Sequence, residues 1–333
     1  MCKKVYILIM AMLSGIVVCS AQNAEQAFPV TGKPILTIFA NYKAGLGNVN
    51  QVSGFNLDRA FVGYEAFLPK GFSAKVVLNV ETYKGNEGRT RFGSYLKNAQ
   101  VNWVKGYFST SLGLVNLKQF SEQEEAWGHR YIFRSFQEEY GFAYCEDIGI
   151  VAGYDFSRFI SADIAFTNGE GRKFKNGDNN YRYGGGVTLR PLEGLLLRAY
   201  ADVYSRPDTS NMGDGVLKDQ YSLALFAGYT HRYFSIGGEF NKSFNHRFAS
   251  GRDLTGYSVY ATVPLYKTLQ FYGRFDLLES DHDWNRQNDG HAIIAGLDYQ
   301  PIRYFRVSPN FQRWKGAGQK RNNYLLISVE LKI

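Results

Sequence analysis

Segments of alternating apolar and polar residues, joined by connections that are short and long in turn, recur along this 333-residue sequence. Alternation with a period of two is typical of a β-strand, whose successive side chains point to opposite faces of a sheet. In YLLISVELKI, at residues 324–333, Leu325, Ile327 and Val329 share one face, and Ser328 and Glu330 share the other. A helix would scatter those polar side chains around its circumference, so the segment is predicted as a strand.

The same pattern predicts sixteen strands. They cover residues 34–42, 55–68, 72–82, 95–104, 107–117, 146–156, 159–167, 180–190, 195–204, 220–230, 233–242, 254–263, 269–278, 291–300, 304–313 and 323–333. Seven short connections, such as PLEG at residues 191–194, interleave with eight long ones. An up-and-down barrel produces this order, because its tight turns lie at one end and its loops at the other. The expected fold class is all-β: a transmembrane up-and-down antiparallel β-barrel of about 16 strands, with both termini and the tight turns on the periplasmic side.

The segment LLLRAYADVY, at residues 195–204, fits two periods. As a helix it would bring Arg198 and Asp202, four residues apart, onto one face as an ion pair. As a strand it would place both side chains on its polar face. The PLEG turn before it and the alternation of loop lengths favour the strand, which predicts that Arg198 and Asp202 face water inside a pore.

The apolar faces of these strands need a partner. A barrel of about 16 strands is too wide for side chains to fill, so its interior is expected to be aqueous and its apolar face to meet lipid. Composition agrees: the chain has 24 Tyr, 25 Phe and 35 Gly but only 8 Pro, which suits many strands better than helices. Aromatic residues near strand ends are predicted to form the interfacial girdles of such a barrel.

The first residues have the layout of a secretory signal peptide. Lys3 and Lys4 precede an apolar run at residues 5–18, and the small-residue pattern of residues 19–21 predicts cleavage after Ala21. Lipoprotein processing at Cys19 is the alternative, but Val18 is bulkier than the residue that such processing requires. The expected organisation is a signal peptide at 1–21, a short periplasmic segment at 22–33 and a barrel at 34–333, in the outer membrane of a Gram-negative bacterium.

Charge and cysteine content exclude several classes of protein. Removal of Lys3 and Lys4 lowers the formal net charge from +8 to +6, too diffuse without a basic cluster to indicate nucleic-acid binding. Cleavage after Ala21 leaves Cys145 as the single cysteine, so no internal disulfide is expected. The histidines show no metal-ligand spacing and GLGNVN, at residues 45–50, lacks a P-loop lysine. No metal and no cofactor are therefore predicted.

The longest connection, residues 118–145, is predicted to carry function. Its aromatic residues are too many to remain in water; they include Trp127, Tyr131, Phe133 and Phe136. We expect the loop to fold into the lumen and narrow the pore, because lumen-facing polar groups set selectivity in wide barrels. The predicted constriction residues are Arg130, Arg134, Glu124 and Glu125, with Glu122 nearby. An ordered surface cap is the alternative conformation.

Several stretches resemble the phosphate-selective porin O and P family of outer-membrane porins, in its Bacteroidetes-type form. They are GFNLDRAFVGYEAFLPKGFSAKVVLNVE (54–81), WGHRYIFRSF (127–136), EDIGIVAGYDF (146–156) and FTNGEGR (166–172). The resemblance implies a 16-stranded, usually trimeric, passive channel whose basic residues guide anions, phosphate among them. It also implies the partners: outer-membrane lipid, small anionic or hydrophilic solutes, and the barrel-assembly machinery through the C-terminal strand.

The polar strand faces supply candidate pore-lining residues. These are Arg59, Lys75, Arg182, Arg198, Asp202 and Arg274. The polar strand faces together carry eight basic and nine acidic residues, so their charges nearly balance. Phosphate selectivity is therefore implied by the resemblance and is not indicated by the residues themselves. A local basic strip is still compatible with anion guidance, because selectivity depends on local rings of charge.

The predicted function is passive diffusion of small hydrophilic solutes through the outer membrane. One alternative is a non-conducting surface barrel that acts as an adhesin or structural protein. The other is a hydrolase, for which ESDHDW at residues 279–284 offers Ser280, Asp281, His282 and Asp283. Adjacent residues rarely form a working catalytic site, which normally converges from separate strands, so a solvated charged loop is the preferred interpretation.

Overall fold

The structure is a computed structural model that describes residues 30–47, 53–84, 90–172, 179–206, 217–317 and 322–333. The predicted signal peptide at 1–21 and residues 22–29 lie outside this part of the chain. The first strand begins at Thr31, three residues before the predicted start of the barrel. Within the described ranges, no helix is long and apolar enough to cross a membrane.

Within the described ranges sixteen strands form, close to the sixteen predicted segments. They are Thr31–Leu46 (β1), Gly54–Phe67 (β2), Phe72–Lys84 (β3), Thr90–Lys105 (β4), Phe108–Asn116 (β5), Glu146–Asp155 (β6), Ile160–Thr167 (β7), Arg182–Leu192 (β8), Leu195–Tyr204 (β9), Gln220–His231 (β10), Phe234–Phe244 (β11), Leu254–Tyr266 (β12), Leu269–Ser280 (β13), Gly290–Ile302 (β14), Phe305–Gly316 (β15) and Asn322–Lys332 (β16). Two short α-helices, Ser121–Trp127 (α1) and Phe136–Glu139 (α2), follow β5. Single 3-10 turns lie at Pro69–Gly71, His246–Phe248 and Asp281–Asp283.

The strands form one closed antiparallel barrel in which each strand pairs with its neighbours in sequence. Closure comes from β1 and β16, with Thr37 opposite Lys332 and Leu46 opposite Asn323. Connections are short after every even-numbered strand from β2 to β14 and longer after the odd-numbered ones. The predicted fold class is confirmed, including the assignment of LLLRAYADVY to a strand.

One tight turn shows why its glycine is needed. Gly194, between β8 and β9, has a φ of +81°, a conformation that residues with a side chain rarely adopt. A Cβ at this position would also lie 2.2 Å from the carbonyl oxygen of Thr230 on the neighbouring strand. The PLEG sequence therefore fits a tight turn between two strands. A helix that included residue 195 could not continue toward the N-terminus through Gly194.

Burial is reversed relative to a water-soluble protein. Large apolar side chains cover the outer surface; examples are Val62, Leu112, Ile164 and Val259, of which Ile164 is 66% exposed. Polar side chains are buried on the inner face; examples are Asn79, Ser258, Asp276 and Ser308. Exposed aromatic residues lie near the short turns, among them Tyr107, Phe156, Phe159, Tyr233 and Tyr304. This arrangement suits a barrel whose outer face contacts lipid.

The outward direction of these side chains gives a prediction for stability. Val259 lies near the middle of β12 and is 53% exposed on the outer face. Val259→Arg is expected to lower the free energy of unfolding by about 2–4 kcal/mol, because it places a cation in the lipid core. Urea titration of the protein folded in lipid vesicles measures this loss. Ser250→Arg, in an exposed turn, is the control, and equal effects of the two substitutions would contradict a lipid-facing β12.

Candidate functional site

The connection at residues 117–145 enters the barrel and contacts the inner faces of strands on several sides. Its two ends lie together, because the Leu117 amide donates to the Cys145 carbonyl oxygen at 2.9 Å. Gly128 ends α1 in a left-handed conformation, with a φ of 65°, and turns the chain toward α2. The prediction that this loop folds into the lumen is confirmed, and the surface-cap alternative is wrong.

Aromatic packing holds the loop against the wall formed by β11 to β15. Trp127 is 1% exposed, and its ring centroid lies 5.4 Å from that of Tyr260 and 5.9 Å from that of Tyr272. The ring of Phe136 packs against Gly256, where a Cβ would lie 2.3 Å from it. The loop therefore forms an apolar cluster with the wall inside the barrel, and the interior is not aqueous throughout.

Wall side chains also bind the loop backbone through its carbonyl oxygens. Arg198 donates to the carbonyl of Lys118 at 2.8 Å, and Arg274 donates to that of Arg134 at 2.8 Å. Further donors are Arg306 to Gly128 at 2.9 Å and Gln312 to Ile132 at 3.0 Å. An irregular segment away from bulk water needs such partners for its backbone groups. The wall therefore fixes the position of the loop by directed hydrogen bonds as well as by packing.

Four of the predicted pore-lining arginines lie on the inner face but are buried in ion pairs. The pairs are Arg59 with Glu138 at 2.5 Å, Arg182 with Asp202 at 2.6 Å, Arg198 with Asp163 at 2.7 Å and Arg274 with Asp276 at 2.8 Å. A buried guanidinium needs a carboxylate to offset the loss of hydration. The expectation that Arg198 and Asp202 face open water is therefore corrected: each is bound to a different partner and is at most 6% exposed.

Lys75 differs from these arginines. It lines a cavity of about 640 Å³ between the loop and β1 to β5, and it has no ion pair among the residues that the structure describes. Glu65 stands opposite it in the register of β2 and β3. A pore-lining role for Lys75, as for the rest of the predicted set, stays a prediction.

The four predicted constriction residues separate into two groups. Arg130 binds Glu124 at 2.9 Å and Glu138 at 2.7 Å, whereas Arg134 and Glu125 are exposed and take no part in these two ion pairs. Burial raises the pKa of Glu138, but Arg130 and Arg59 outweigh it and hold that pKa well below its usual range. Glu138 therefore remains a carboxylate at neutral pH and links the loop to β2.

Glu124, Glu138 and Cys145 have ligand atoms within 4.8 Å of one another, which is a spacing that could suit a metal. The guanidinium of Arg130 contacts all three, including the Cys145 sulfur at 3.5 Å. Burial raises the pKa of the Cys145 thiol, which disfavours the thiolate that a metal would need. The cluster is therefore an arginine-centred ion-pair network.

The ESDHDW segment does not assemble a catalytic group in the structure. The Ser280 hydroxyl donates to Asp289 at 2.5 Å, and Asp281 pairs with Lys242 at 3.0 Å. His282 is exposed on the turn, and no hydrogen bond joins it to Ser280 within the described residues. These contacts fit the preferred interpretation of a charged surface loop.

His246 gives a pH dependence to the turn between β11 and β12. Burial, with a contribution from Arg247, lowers the pKa of His246 from 6.5 to about 4, so the ring is neutral at pH 7. The unfolded segment binds a proton first as the pH falls, so the stability that the neutral ring contributes is lost between pH 6.5 and about 4. We expect a local loss on the order of 2 kcal/mol. Hydrogen exchange at residues 245–253, corrected for intrinsic rates, measures it, and His246→Gln should abolish the pH dependence.

Several cavities lie beside the lumen loop in the part of the chain that the structure describes, and three of them bear on the function. One of about 620 Å³ lies at the end of the barrel that carries the long connections. The second is the space of about 640 Å³ beside Lys75, and the third, of about 440 Å³, lies between α1 and the wall of β4 to β9. The second and third cavities share Asn116, Leu117 and Ser121 as lining residues.

No protein-family model matches the chain, and no curated protein matches it. Solved structures do match. OmpF of Salmonella typhi, in complex with daunomycin, aligns with a TM-score of 0.68 at 11% identity, over 91% of this chain and 97% of that chain. The fold is that of the outer-membrane porins. The anion-selective porin from Comamonas acidovorans aligns with a TM-score of 0.65 at 12% identity, over 92% of this chain and all (100%) of that chain. The outer membrane channel DcaP of Acinetobacter baumannii gives 0.61 at 10% identity, over 94% and 100%.

Sequence reasoning missed several residues that organise this porin fold. Glu138 joins Arg59 and Arg130, and Asp298 accepts hydrogen bonds from Tyr131 at 2.7 Å and from Arg306 at 3.2 Å. The alternation of β14 and β15 does place Asp298 and Arg306 on the inner face. Glu138 lies in α2, a four-residue helix too short to show a period in the sequence, so no signal in the sequence pointed to its partners.

Proposed function

We propose that the protein is a passive diffusion channel for small hydrophilic solutes in the outer membrane of a Gram-negative bacterium. The observation that carries the proposal is the closed sixteen-strand barrel with an apolar outer face and a loop held inside its lumen. Such a barrel provides a transmembrane path, and the loop limits its width. The channel has no turnover and needs no cofactor.

The path is proposed to run between the lumen loop and the wall of β3 to β7, where the second and third cavities adjoin. Amides and hydroxyls cover this wall and bond to one another. Asn98 donates to Asn116 at 2.9 Å, Gln100 donates to Asn102 at 2.6 Å and Ser111 donates to Asn102 at 2.8 Å. A lining of neutral hydrogen-bonding groups can replace part of a solute's hydration without requiring a particular charge.

A modest preference for anions is part of the proposal, and selection of phosphate is not. The ion pairs at Arg59, Arg182, Arg198 and Arg274 mean that these four guanidinium groups do not form a ring of free charge along the wall. Lys75 is the predicted pore-lining cation that lacks an ion pair within the described ranges, and it supports weak attraction of anions. The reversal potential in a potassium chloride gradient tests this preference, and cation selectivity would contradict it.

Contacts with lipid, with further copies of the chain and with the assembly machinery complete the proposal. A homotrimer is proposed because the sequence resembles a family of usually trimeric porins. A small apolar recess of about 320 Å³ on the outer face of β6 to β8, lined by Ile150, Ile164 and Phe166, offers a surface that a second copy could contact. The alternating apolar residues of β16 support recognition by the barrel-assembly machinery. Cross-linking of the protein in outer-membrane vesicles would measure the number of subunits.

Recording from the purified protein in a planar lipid bilayer tests the central proposal. Discrete conductance steps are expected, and their absence would favour a non-conducting surface barrel. That second candidate has one specific observation in its favour, which is the dense packing of Trp127 and Tyr272 inside the barrel. Swelling of proteoliposomes in solutions of progressively larger sugars would then define the size limit for neutral solutes.

A further inference from the structure

The cavity at the long-connection end of the lumen is built differently from the rest of the interior. It holds about 620 Å³, within the range of small-molecule sites, and lies between α2, the turns after β11 and β13, and the ends of β1, β15 and β16. Half-buried aromatic rings line it: Phe133, Tyr140, Trp284, Trp314 and Tyr324. Neither the loop nor the wall covers these ring faces fully, although comparable rings deeper in the lumen are buried.

The charges around this cavity are unbalanced. Four cations line it, namely Lys43, Arg247, Arg252 and Arg313, against one carboxylate, that of Glu139. Within the described part of the chain, none of these four cations forms an ion pair. The inner-face arginines Arg59, Arg182, Arg198 and Arg274 are instead each bound to a carboxylate. Asp58, outside the lining, offsets part of the charge of Lys43, and the remaining excess of positive charge in a concave space with low-dielectric walls concentrates anions.

Two of these cations lie directly beside the rings. The Lys43 ammonium is 3.5 Å from the centroid of the Tyr324 ring, and the Arg252 guanidinium carbon is 5.6 Å from that of Trp284. The ring of Trp314 lies 5.8 Å from Tyr140 and forms a further face of the cavity. A bound molecule could therefore place a flat ring against an aromatic face and a negative group against a cation at the same time.

We propose that this cavity binds small cyclic organic anions, in which a carboxylate or a phosphate is attached to a ring. The cations supply charge-assisted hydrogen bonds to the anionic group, and the rings supply apolar contact area. Inorganic phosphate and acetate would use only the first contribution, and a neutral ring would use only the second. The proposal deepens the proposed function, since a site at the mouth of a channel would select the solutes that enter it.

Calorimetric titration of the folded barrel in detergent with benzoate, acetate and benzyl alcohol tests the site without requiring conduction. Benzoate is expected to bind at least about tenfold more tightly than either of the other two compounds. Equal affinity for benzoate and acetate would overturn the proposal, because the rings would then contribute nothing. The result is independent of bilayer recording, so failure of the site and failure of the channel proposal are distinguishable.

Variants separate the two contributions. Arg247→Gln with Arg252→Gln removes two exposed charges and is expected to weaken benzoate binding by about tenfold. Arg303→Gln, which removes an exposed charge at the short-turn end, is the matched control and should leave binding unchanged. Trp314→Leu should weaken benzoate binding, and Trp314→Phe should restore it. Unchanged affinity in the double arginine variant would overturn the assignment of the site to this cavity.

Discussion

Replacement of residues 118–144 by a four-residue Gly/Ser linker is expected to raise the single-channel conductance by about threefold or more. The physical reason is that a barrel of about 16 strands without an inward loop encloses a wide aqueous channel. The linker can close the gap, because the Leu117 amide and the Cys145 carbonyl oxygen already lie 2.9 Å apart. The sixteen strands do not include the deleted residues, so the barrel should persist. Planar-bilayer recording measures the conductance, and circular dichroism checks the strand content.

Two outcomes of this deletion carry different conclusions. An unchanged conductance in a folded variant would show that the loop does not limit the path. Conductance that appears only after deletion would show that the native loop closes the barrel, in agreement with the non-conducting candidate. The ion pairs of Arg198 with Asp163 and of Arg182 with Asp202 should persist in the variant, because all four residues lie on strands. Each arginine loses only a hydrogen bond to the deleted loop.

Arg274→Ala is expected to destabilise the protein by about 3–5 kcal/mol, because it leaves the carboxylate of Asp276 buried without its partner. Both side chains are fully buried, and Arg274 makes two hydrogen bonds to Asp276, each at 2.8 Å. The same substitution removes the donor to the Arg134 carbonyl and the cation beside the Trp127 ring. The loop should therefore become less firmly held, with larger current fluctuations in bilayer recordings.

A double variant distinguishes an unpaired charge from lost packing. Arg274→Ala with Asp276→Ala removes both charges and should cost less than Arg274→Ala alone, by urea titration in lipid vesicles. Arg303→Ala, an exposed arginine at the short-turn end, should change stability by less than about 0.5 kcal/mol. A loss below about 1 kcal/mol for Arg274→Ala would indicate that lumen water hydrates Asp276 in the native protein.

The barrel itself could be predicted from the sequence because its signals are local and repeated. Alternation in β16 places Leu325 and Ile327 outside and Leu326 and Ser328 inside, and one error of register would invert the whole strand. The order of short and long connections then limits the topology. The inner position of Arg198 and Asp202 also followed from the two-residue alternation of β9 alone, although the two residues belong to different ion pairs.

The candidate site could be predicted only in part. The aromatic content of residues 118–145 indicated a folded loop, but not that Trp127 would pack on Tyr260 and Tyr272. Those contacts join residues more than a hundred positions apart, and an irregular loop has no period from which a face can be read. For the same reason, Arg130 and Glu124 were predicted only as separate charges, and their shared partner Glu138 was missed.

The sequence by itself determined which side of each strand meets lipid, how many strands form and at which end the long connections lie. These properties follow from a two-residue period and from turn residues that act over a few positions. The tertiary structure alone decided what occupies the lumen. Burial forced the inner arginines to find carboxylates, and the third long connection supplied both a carboxylate and backbone carbonyls. Arg274 thus became an anchor of the loop, while Arg247 and Arg252 at the long-connection end form no ion pair within the described residues.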